Sequence, residues 1–335
     1  MGESVSGVEC SAKDRACPSG LIDEQPHVVE AVPSIAILMC TLNGARFLAA
    51  QLASLEQQTF QNWRLIVSDD GSTDDTLPIL RAFSQRLPLR VEIRTGPRCG
   101  AASNFLTLVA DPDIKADYFA FCDQDDIWHP TKLARAITQL RSVPEHLPGV
   151  YGGRTRLVSV DGKPFGHAPL FPKRPSFTNA LAQNIAGANT MLLNRAAKRL
   201  LERAGPLTVV SHDWWTYQLV VGGGGMLLYD PEPHLDYRQH EANSIGCNRG
   251  HVAQWKRFRM VLNGGFARWN DLNLQALQQS RHLLTADARA YLEAYEIMRK
   301  SRLTKRLRTF WTSNIRRQTF TGNIALFIAI LLKKL

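Results

Sequence analysis

Apolar and polar positions alternate in blocks over the first part of the chain, and these blocks predict strands and helices in turn. Continuously apolar runs predict buried strands, namely SIAILMC (34–40), WRLIVS (63–68), LRVEIRT (89–95) and YFAFC (118–122). Helical spacing marks ARFLAAQLASLEQQ (45–58), STDDTLPILRAFSQ (72–85) and AASNFLTLVA (101–110). In the first of these helices, Phe47, Leu48 and Leu52 fall on one predicted buried face together with Leu55. This alternation predicts an α/β fold with a parallel sheet flanked by helices.

The later chain continues the pattern and then changes character. A helix follows Lys132, and GVYGGRTRLVSVDG (149–162) predicts an antiparallel excursion that turns at Asp161-Gly162. Strand and helix return in NIAGANTMLLNRAAKRLLERAG (184–205) and again in SHDWWTYQLVVGGGGMLLYD (211–230). Beyond about Gly250 the sequence is helical and basic. We therefore predict a mobile leader over 1–32, an α/β domain over 33–248 and a helical basic region over 249–335.

Charge separates the body of the protein from its C-terminal region. The formal net charge is +10, and 17 of the 40 lysines and arginines lie from Arg249 onward, with only four of the 30 acidic residues. The body is therefore mildly acidic, and the C-terminal quarter is suited to an anionic surface or ligand. A hydrophobic content of 44% allows a proper core. The six cysteines form no CxxC pair, which predicts a reduced, cytoplasmic protein without a structural zinc site.

No segment predicts a membrane span or a secretory signal. The longest apolar run, IALFIAILL (324–332), has nine residues, whereas a spanning helix needs about 20.

Two acidic clusters follow predicted strands. Asp69 and Asp70 follow the second strand, and Asp123, Asp125 and Asp126 follow the fourth. Ligands of doubly wound sheets bind outside the carboxyl ends of the strands, so both clusters are expected in one crevice. Carboxylates two residues apart on a turn can present oxygens to one Mg²⁺ or Mn²⁺ that also binds a diphosphate, although exposed acidic turns are common where strands end.

Two further motifs contain candidate chemistry. In SHDWW, Asp213 stands beside two tryptophans; it is either a partly desolvated proton acceptor or a helix-capping residue in front of core tryptophans, and the two readings are equally supported. In YRQH, His240 is a candidate ligand for metal or phosphate, but a single histidine is weak evidence. The chain lacks a GxxxxGK[ST] phosphate loop, a GxGxxG after the first strand and a GxSxG motif, which disfavours other nucleotide-binding folds and serine hydrolases.

Five motifs in order resemble one enzyme family. CTLNGARFLAAQLASLEQQTF, VSDDGSTDDT, FCDQDDIWHPTKL, HDWW and YRQH, between about Ser34 and Gly246, are similar to the family-2 glycosyltransferases of the GT-A fold. The rhamnosyltransferase-like branch of bacterial surface polysaccharide synthesis is the most similar. The resemblance implies a metal-dependent, inverting transfer of a sugar from a dTDP- or UDP-sugar to a hydroxyl of a lipid-linked or glycan acceptor. It also makes 33–248 the catalytic domain.

The resemblance further implies roles for individual residues. Those implied to border the nucleotide sugar are Cys40, Thr41, Leu42, Asn43, Asp70 (on a pyrimidine base), Asn104 and Asp123 (near the ribose). Asp123 and Asp125 fill the DXD pattern of the family, and His240 would complete the shell of a bound Mg²⁺ or Mn²⁺. Asp213 would be the general base. Cys40 departs from the common Thr or Ser, which matters little if the backbone makes the contact.

The basic region predicts a location. Six cations lie within ten residues, with apolar residues at helical spacing between them: Arg299, Lys300, Arg302, Lys305, Arg306 and Arg308, interleaved with Leu303, Leu307 and Phe310. A basic amphipathic helix on anionic lipid predicts a peripheral protein on the inner face of the cytoplasmic membrane, and packing of this helix on the catalytic domain is the alternative. A nucleic-acid-binding protein with a merely structural acidic body, and a nucleotidyltransferase that releases pyrophosphate, are rival functions. We expect no nucleic-acid partner.

Overall fold

A computed structural model of the chain describes residues 32–241 and 264–335. The predicted leader (1–32) and the predicted boundary at 248/249 therefore lie almost wholly outside the described residues. The strands of the described part are β1 (Ile35–Thr41), β2 (Trp63–Asp69), β3 (Val91–Thr95), β4 (Tyr118–Cys122), β5 (Ile127–Trp128), β6 (Gly149–Gly153), β7 (Arg156–Val158), β8 (Pro164–His167), β9 (Leu192–Asn194), β10 (Met226–Asp230) and β11 (Leu235–Arg238).

The helices of the described part are α1 (Ala45–Glu56), α2 (Thr76–Arg86), α3 (Ala101–Ala110), α4 (Lys132–Leu140), α5 (Phe177–Ala180), α6 (Arg195–Ala204), α7 (His212–Gly222), α8 (Gly265–Gln279), α9 (Ala286–Lys300), α10 (Leu303–Ser313) and α11 (Phe320–Leu331). Most of them coincide with predicted segments, although α2 begins four residues later than predicted and α5 was not predicted. Within the described residues, no helix combines the length and apolar character that crossing a bilayer requires.

A central sheet organises the fold and confirms the α/β prediction. It has seven strands in the order β10-β6-β9-β4-β1-β2-β3. The pairings of β1 with β2 and β4, of β2 with β3 and of β10 with β6 are parallel, whereas β9 runs antiparallel to β4 and to β6. The reversed strand makes the sheet mostly, not wholly, parallel. A smaller sheet in the order β5-β11-β7-β8 includes the predicted hairpin, whose turn at Asp161–Gly162 places Gly162 in the left-handed region (φ 77°).

Helices cover both faces of the central sheet, which explains its continuously apolar strands. In β1, Ile35, Ile37 and Met39 pack on the side of α1, α2 and α4, whereas Ala36 and Leu38 pack on the side of α3, α6 and α7. Every residue of β1 is buried. A strand that is buried on both faces has no polar alternation, as the sequence pattern indicated. The carboxyl ends of β4, β1 and β2 therefore form one edge, to which their loops bring polar side chains.

Candidate active site

Asp69 holds the end of β2 to the neighbouring strand and turn. Its Oδ2 accepts hydrogen bonds from Thr41 Oγ1 (2.8 Å) and Ser72 Oγ (2.6 Å), and its Oδ1 accepts from the backbone N–H groups of Gly71 (3.1 Å) and Ser72 (2.8 Å). Burial alone would raise the pKa of Asp69, but these bonds outweigh it and hold the pKa below its ordinary value. Asp69 is therefore an ionised structural carboxylate, and Thr41 is its partner.

The turn after β1 is fastened to both neighbouring loops. Asn43 adopts a left-handed conformation (φ 48°), its N–H donates to Ser72 Oγ (2.8 Å), and its Oδ1 accepts from Thr73 N (2.8 Å). The side-chain amide of Gln124 pairs with the backbone of Leu42, accepting from its N–H (2.9 Å) and donating to its carbonyl (3.0 Å). These bonds pre-form the edge before any ligand binds. Pre-formed edges reduce the ordering cost of binding.

Cys40 lies beneath this edge between two acids. Burial, followed by the charges of Asp123 and Asp70, raises the pKa of the Cys40 thiol well above its ordinary value. The thiol is therefore neutral, and its residue is buried in the core cluster beneath the sheet edge. Contact of this position with a nucleotide through its backbone stays a prediction.

Asp70 and Asn104 both contact the region where β2 and β3 end, but they differ in exposure. Asp70 is half-buried, and its carboxylate accepts from the backbone N–H groups of Arg98 (2.6 Å) and Gly100 (2.9 Å) in the loop after β3. Asn104 is buried, with Nδ2 donating to the carbonyl of Ser68 (2.9 Å) and Oδ1 accepting from Ser68 Oγ (2.5 Å). Asp70 therefore borders the crevice, whereas Asn104 lies below it and joins α3 to β2.

Asp126 anchors the acidic turn, which comprises residues 123–126 after β4, from below. Its side chain is fully buried and accepts hydrogen bonds from Asn189 Nδ2 (2.6 Å) and from the backbone N–H of Arg238 (3.3 Å). Burial, followed by the charges of Asp125 and Asp123, raises its pKa well above the ordinary value. Asp126 faces the protein interior, so it holds the turn and leaves the other two aspartates to face the crevice.

His240 contacts Asp125 from the other side of the crevice. His240 Nε2 lies 2.7 Å from Asp125 Oδ2, and its ring packs against Phe47 with the centroids 5.0 Å apart. The Arg238 guanidinium lies 4.8 Å from the Phe47 ring and donates through Nε to the backbone carbonyl of Asp125 (3.1 Å). The prediction that Phe47 faces the core was wrong: the ring is half-buried and supports this cluster, because α1 begins at the crevice.

Asp213 is brought to the same place by α7. It lies in the first turn of this helix and is buried, while Trp214 and Trp215 behind it belong to the core. Burial, then the charges of Asp125 and Asp213, raise the pKa of Asp123 well above its ordinary value. The charges of Asp125 and Asp213 both act on Asp123, so the three carboxylates lie within electrostatic range of one another. The tryptophans belong to the core, as one interpretation of SHDWW predicted, but the residue that caps α7 is Ser211 and not Asp213. The role of Asp213 as a proton acceptor stays a prediction.

The donor set fits a hard divalent cation that a substrate helps to bind. Among the described residues, no group of three or more His, Cys, Asp or Glu side chains is pre-arranged as a closed metal site. The crevice contains Asp123 and Asp125, and His240 contacts Asp125. Burial and the negative charges of Asp125 and Asp213 raise the pKa of Asp123. Mg²⁺ and Mn²⁺ commonly take one or two carboxylates and complete their shells with water and phosphate oxygens. The residues therefore fit such an ion.

Three supporting residues were missed by the sequence reasoning. Gln124 joins two loops of the crevice, Asn189 bonds Asp126, and Arg238 binds the backbone of the acidic turn. Arg238 had a visible signal, since it stands two residues before His240 in YRQH. Asn189 had none, because it lies in a 3₁₀ turn (Ala188–Thr190) whose position depends on the sheet.

A mostly parallel sheet flanked by helices, with acids and an imidazole at its carboxyl edge, matches the GT-A fold of glycosyltransferases. The sequence pattern of Glycosyl transferase family 2 matches residues 36–201. The chain is 30% identical over 240 residues to the dTDP-rhamnosyl transferase RfbG of Shigella flexneri, an overlap of 67% of this chain and 79% of that protein. This chain belongs to glycosyl transferase family 2.

Two further comparisons agree. The Escherichia coli protein WfgD, a UDP-Glc:alpha-D-GlcNAc-diphosphoundecaprenol beta-1,3-glucosyltransferase, is 30% identical over 164 residues, covering 48% of this chain and 60% of that protein. The solved mannosyltransferase PcManGT of Pyrobaculum calidifontis, in complex with GDP-Man and Mn²⁺, has a TM-score of 0.50 at 17% identity and covers 90% of this chain and 87% of its own. At that identity the likeness supports the fold alone.

Proposed function

We propose that this enzyme transfers a sugar, with rhamnose as the first candidate, from a dTDP- or UDP-sugar to a hydroxyl group, inverting the anomeric centre. The observation that carries the proposal is the contact between His240 Nε2 and Asp125 Oδ2 (2.7 Å) at the carboxyl edge of the sheet, and the charges of Asp125 and Asp213 that act on Asp123 support it. The activities of two relatives, a dTDP-rhamnosyl transferase and a UDP-Glc transferase, support the donor class. The second relative acts on a diphosphoundecaprenol, which supports a lipid-linked acceptor in bacterial glycan synthesis and a location on the cytoplasmic membrane face.

The donor is held along the carboxyl edge of the sheet. The backbone of Cys40, Thr41 and Asn43 borders the nucleoside, and the Asp70 carboxylate, with a free lone pair on each oxygen, accepts from the N–H of a pyrimidine base. Asn104 supports this wall from below. Asp123 lies near the ribose.

Asp125, with Asp123 and His240, would hold a Mg²⁺ or Mn²⁺ ion. When bound, the ion supplies positive charge that stabilises the departing nucleoside diphosphate. His240 Nε2 and Asp125 Oδ2 already lie 2.7 Å apart, so both side chains can contribute to one ion. The ring of Phe47 fixes the orientation of the imidazole.

Asp213 performs the proton transfer. Its carboxylate takes the proton from the acceptor hydroxyl, whose oxygen forms the new bond to the anomeric carbon as the bond to the diphosphate oxygen breaks. Attack opposite the leaving group in a single displacement inverts the configuration. Asp213 lies in the first turn of α7, at the positive end of the helix.

The test is a donor screen with product analysis. Among dTDP-rhamnose, UDP-glucose and GDP-mannose, we expect release of nucleoside diphosphate from one of the two pyrimidine donors, dependent on Mn²⁺ or Mg²⁺, and a product of inverted configuration by NMR. Release of pyrophosphate would identify a nucleotidyltransferase instead. Salt-sensitive DNA or RNA binding without metal-dependent affinity for nucleoside diphosphates would identify a nucleic-acid-binding protein.

A further inference from the structure

Helices α10 and α11 present a large apolar surface to solvent. Trp311 on α10 is 74% exposed, and Phe320 and Ile324 on α11 are 80% and 45% exposed. Large apolar side chains at such exposure, grouped together on one face, are characteristic of an interaction surface.

The exposed residues form one continuous stripe. Phe320, Ile324, Phe327 and Leu331 recur at three- and four-residue intervals along α11 and therefore share one face. Trp311 joins this face from the neighbouring helix, since its ring lies 6.4 Å from that of Phe327. We call these five residues the apolar stripe.

The opposite side of the helix pair is firmly docked on the catalytic domain. Leu326, Ala329 and Ile330 of α11 belong to the core that also contains α3, α6 and α7. Asn179 Nδ2 of α5 donates to the carbonyl of Arg316 (2.9 Å), between α10 and α11. The core of the fold is thus completed by the inner face alone, and the apolar stripe plays no part in it.

The packing of the helix pair buries some of the basic residues that lie close together in the sequence and leaves others exposed. Arg306 is buried and donates to the carbonyls of Ile330 (2.7 Å) and Ser301 (2.7 Å), while Arg299 donates to that of Leu335 (2.8 Å). The prediction that Arg306 faces lipid was therefore wrong, because its guanidinium satisfies carbonyl groups inside the helix pair.

The cations that remain exposed flank the apolar stripe. Lys305 and Arg308 precede Trp311 by six and three residues and share the outer face of α10, and Lys333 follows α11. Amphipathic surfaces that combine tryptophan, aliphatic residues and cations bind in the interfacial layer of anionic membranes. With 12 residues, α11 is about 18 Å long, well short of the hydrocarbon thickness of about 30 Å, so it would lie in the interface.

We propose that the apolar stripe, with Lys305 and Arg308, is the surface by which this enzyme inserts shallowly into an anionic phospholipid bilayer. The proposal deepens the proposed function and rests on it for one point, because a lipid-linked acceptor explains why the enzyme binds a membrane. The binding itself depends only on the apolar stripe and the two cations. Helix α5 links the docked pair to the helix that carries Asp213, through Tyr217 Oη donating to the carbonyl of Ser176 and through Trp214 Nε1 donating to that of Ala180 (2.7 Å). These contacts hold the apolar stripe in a fixed position relative to α7.

The experiment measures binding of the full chain to vesicles of phosphatidylglycerol and phosphatidylcholine by co-sedimentation. We expect Trp311→Ser/Phe320→Ser to weaken binding roughly a hundredfold, because each lost side chain contributes at least one power of ten. Lys305→Gln/Arg308→Gln should weaken it roughly thirtyfold and remove most of its salt dependence. The matched control is Leu89→Ser/Phe165→Ser, which removes two apolar side chains that are 97% and 51% exposed elsewhere, and it should bind like the native chain.

Unchanged affinity of the Trp311→Ser/Phe320→Ser variant, or equal binding of the native chain to neutral vesicles, would overturn the proposal. A third outcome would also overturn it: the native chain forms a dimer that does not bind vesicles, and the variant is monomeric. The last outcome would identify the stripe as a contact between copies of the chain. Transfer to a short acceptor without a lipid should be unaffected by the variant. If the native chain shows no transfer to that acceptor, the proposed function is refuted, whereas the membrane result still stands.

Discussion

Replacing the carboxylate of Asp213 with an amide tests the proposed base with little change in shape. Asp213 Oδ1 accepts a hydrogen bond from Trp214 N (2.6 Å), and the amide oxygen of asparagine can accept the same bond. Two electrostatic effects on stability then oppose each other. The loss of a negative charge in the first turn of α7 costs about 0.3–1 kcal/mol, whereas removing a like charge that faces Asp123 relieves repulsion. We therefore expect the free energy of unfolding to change by less than about 1 kcal/mol.

The effect on rate should be far larger. A positioned general base contributes typically ~10²–10⁴-fold, equivalent to about 3–5 kcal/mol of the activation free energy. We expect Asp213→Asn to lower kcat by that factor and to leave the Kd for the nucleoside diphosphate with Mn²⁺ within about threefold, since the base acts on the acceptor.

The assay is release of nucleoside diphosphate under saturating donor, with circular dichroism and calorimetric affinity measured on the same samples. Asp287→Asn is the matched control, because Asp287 also lies in the first turn of a helix but is exposed. It should keep native turnover. A folded Asp213→Asn enzyme with near-native kcat would refute the assignment of the base.

Three further predictions concern the framework of the site. Asn189→Ala should lower the free energy of unfolding by about 1–3 kcal/mol in urea titrations, because it removes a 2.6 Å bond to the buried Asp126; an unchanged midpoint would contradict this anchoring role. Burial lowers the pKa of His212 to about 4 against 6.5 when unfolded, so the unfolded chain binds the extra proton and stability falls as pH drops below 6.5. Between pH 7 and 5 the native chain should lose roughly 2 kcal/mol more than His212→Phe, and parallel pH profiles would refute it. Gly225→Ala should cost about 1–3 kcal/mol or more by thermal unfolding, since its Cβ would fall 2.2 Å from the Pro148 carbonyl oxygen; a native melting temperature would show that the backbone yields.

The sequence predicted the elements well where one local signal dominates. The runs of β1 and β4 and the period of α3 gave bounds within a residue or two of those observed. The sequence predictions failed where contacts with other segments determine the local structure. The predicted helix from Ser72 begins instead at Thr76, because Ser72 and Asp74 are bonded to Asp69 and to the backbone of Ala45 across the crevice.

The direction of β9 also lay beyond the sequence. Three buried residues, LLN, satisfy a strand pattern in either direction, and the reversal follows from pairing with β4 and β6. That reversal carries the preceding 3₁₀ turn to the acidic turn after β4, which is how Asn189 reaches Asp126.

Which residue types gather at the edge of the sheet was written into the sequence, because acids that follow apolar strands must emerge where parallel strands end. Which of those acids face a ligand was decided only by the tertiary structure. Asp69 accepts hydrogen bonds from Thr41 and from its own turn, and Asp126 accepts from Asn189 and the backbone of Arg238, whereas Asp123 lies within range of the charges of Asp125 and Asp213. Burial and the supply of hydrogen-bond donors depend on neighbours far away in the chain, and identical aspartates acquire different roles for that reason.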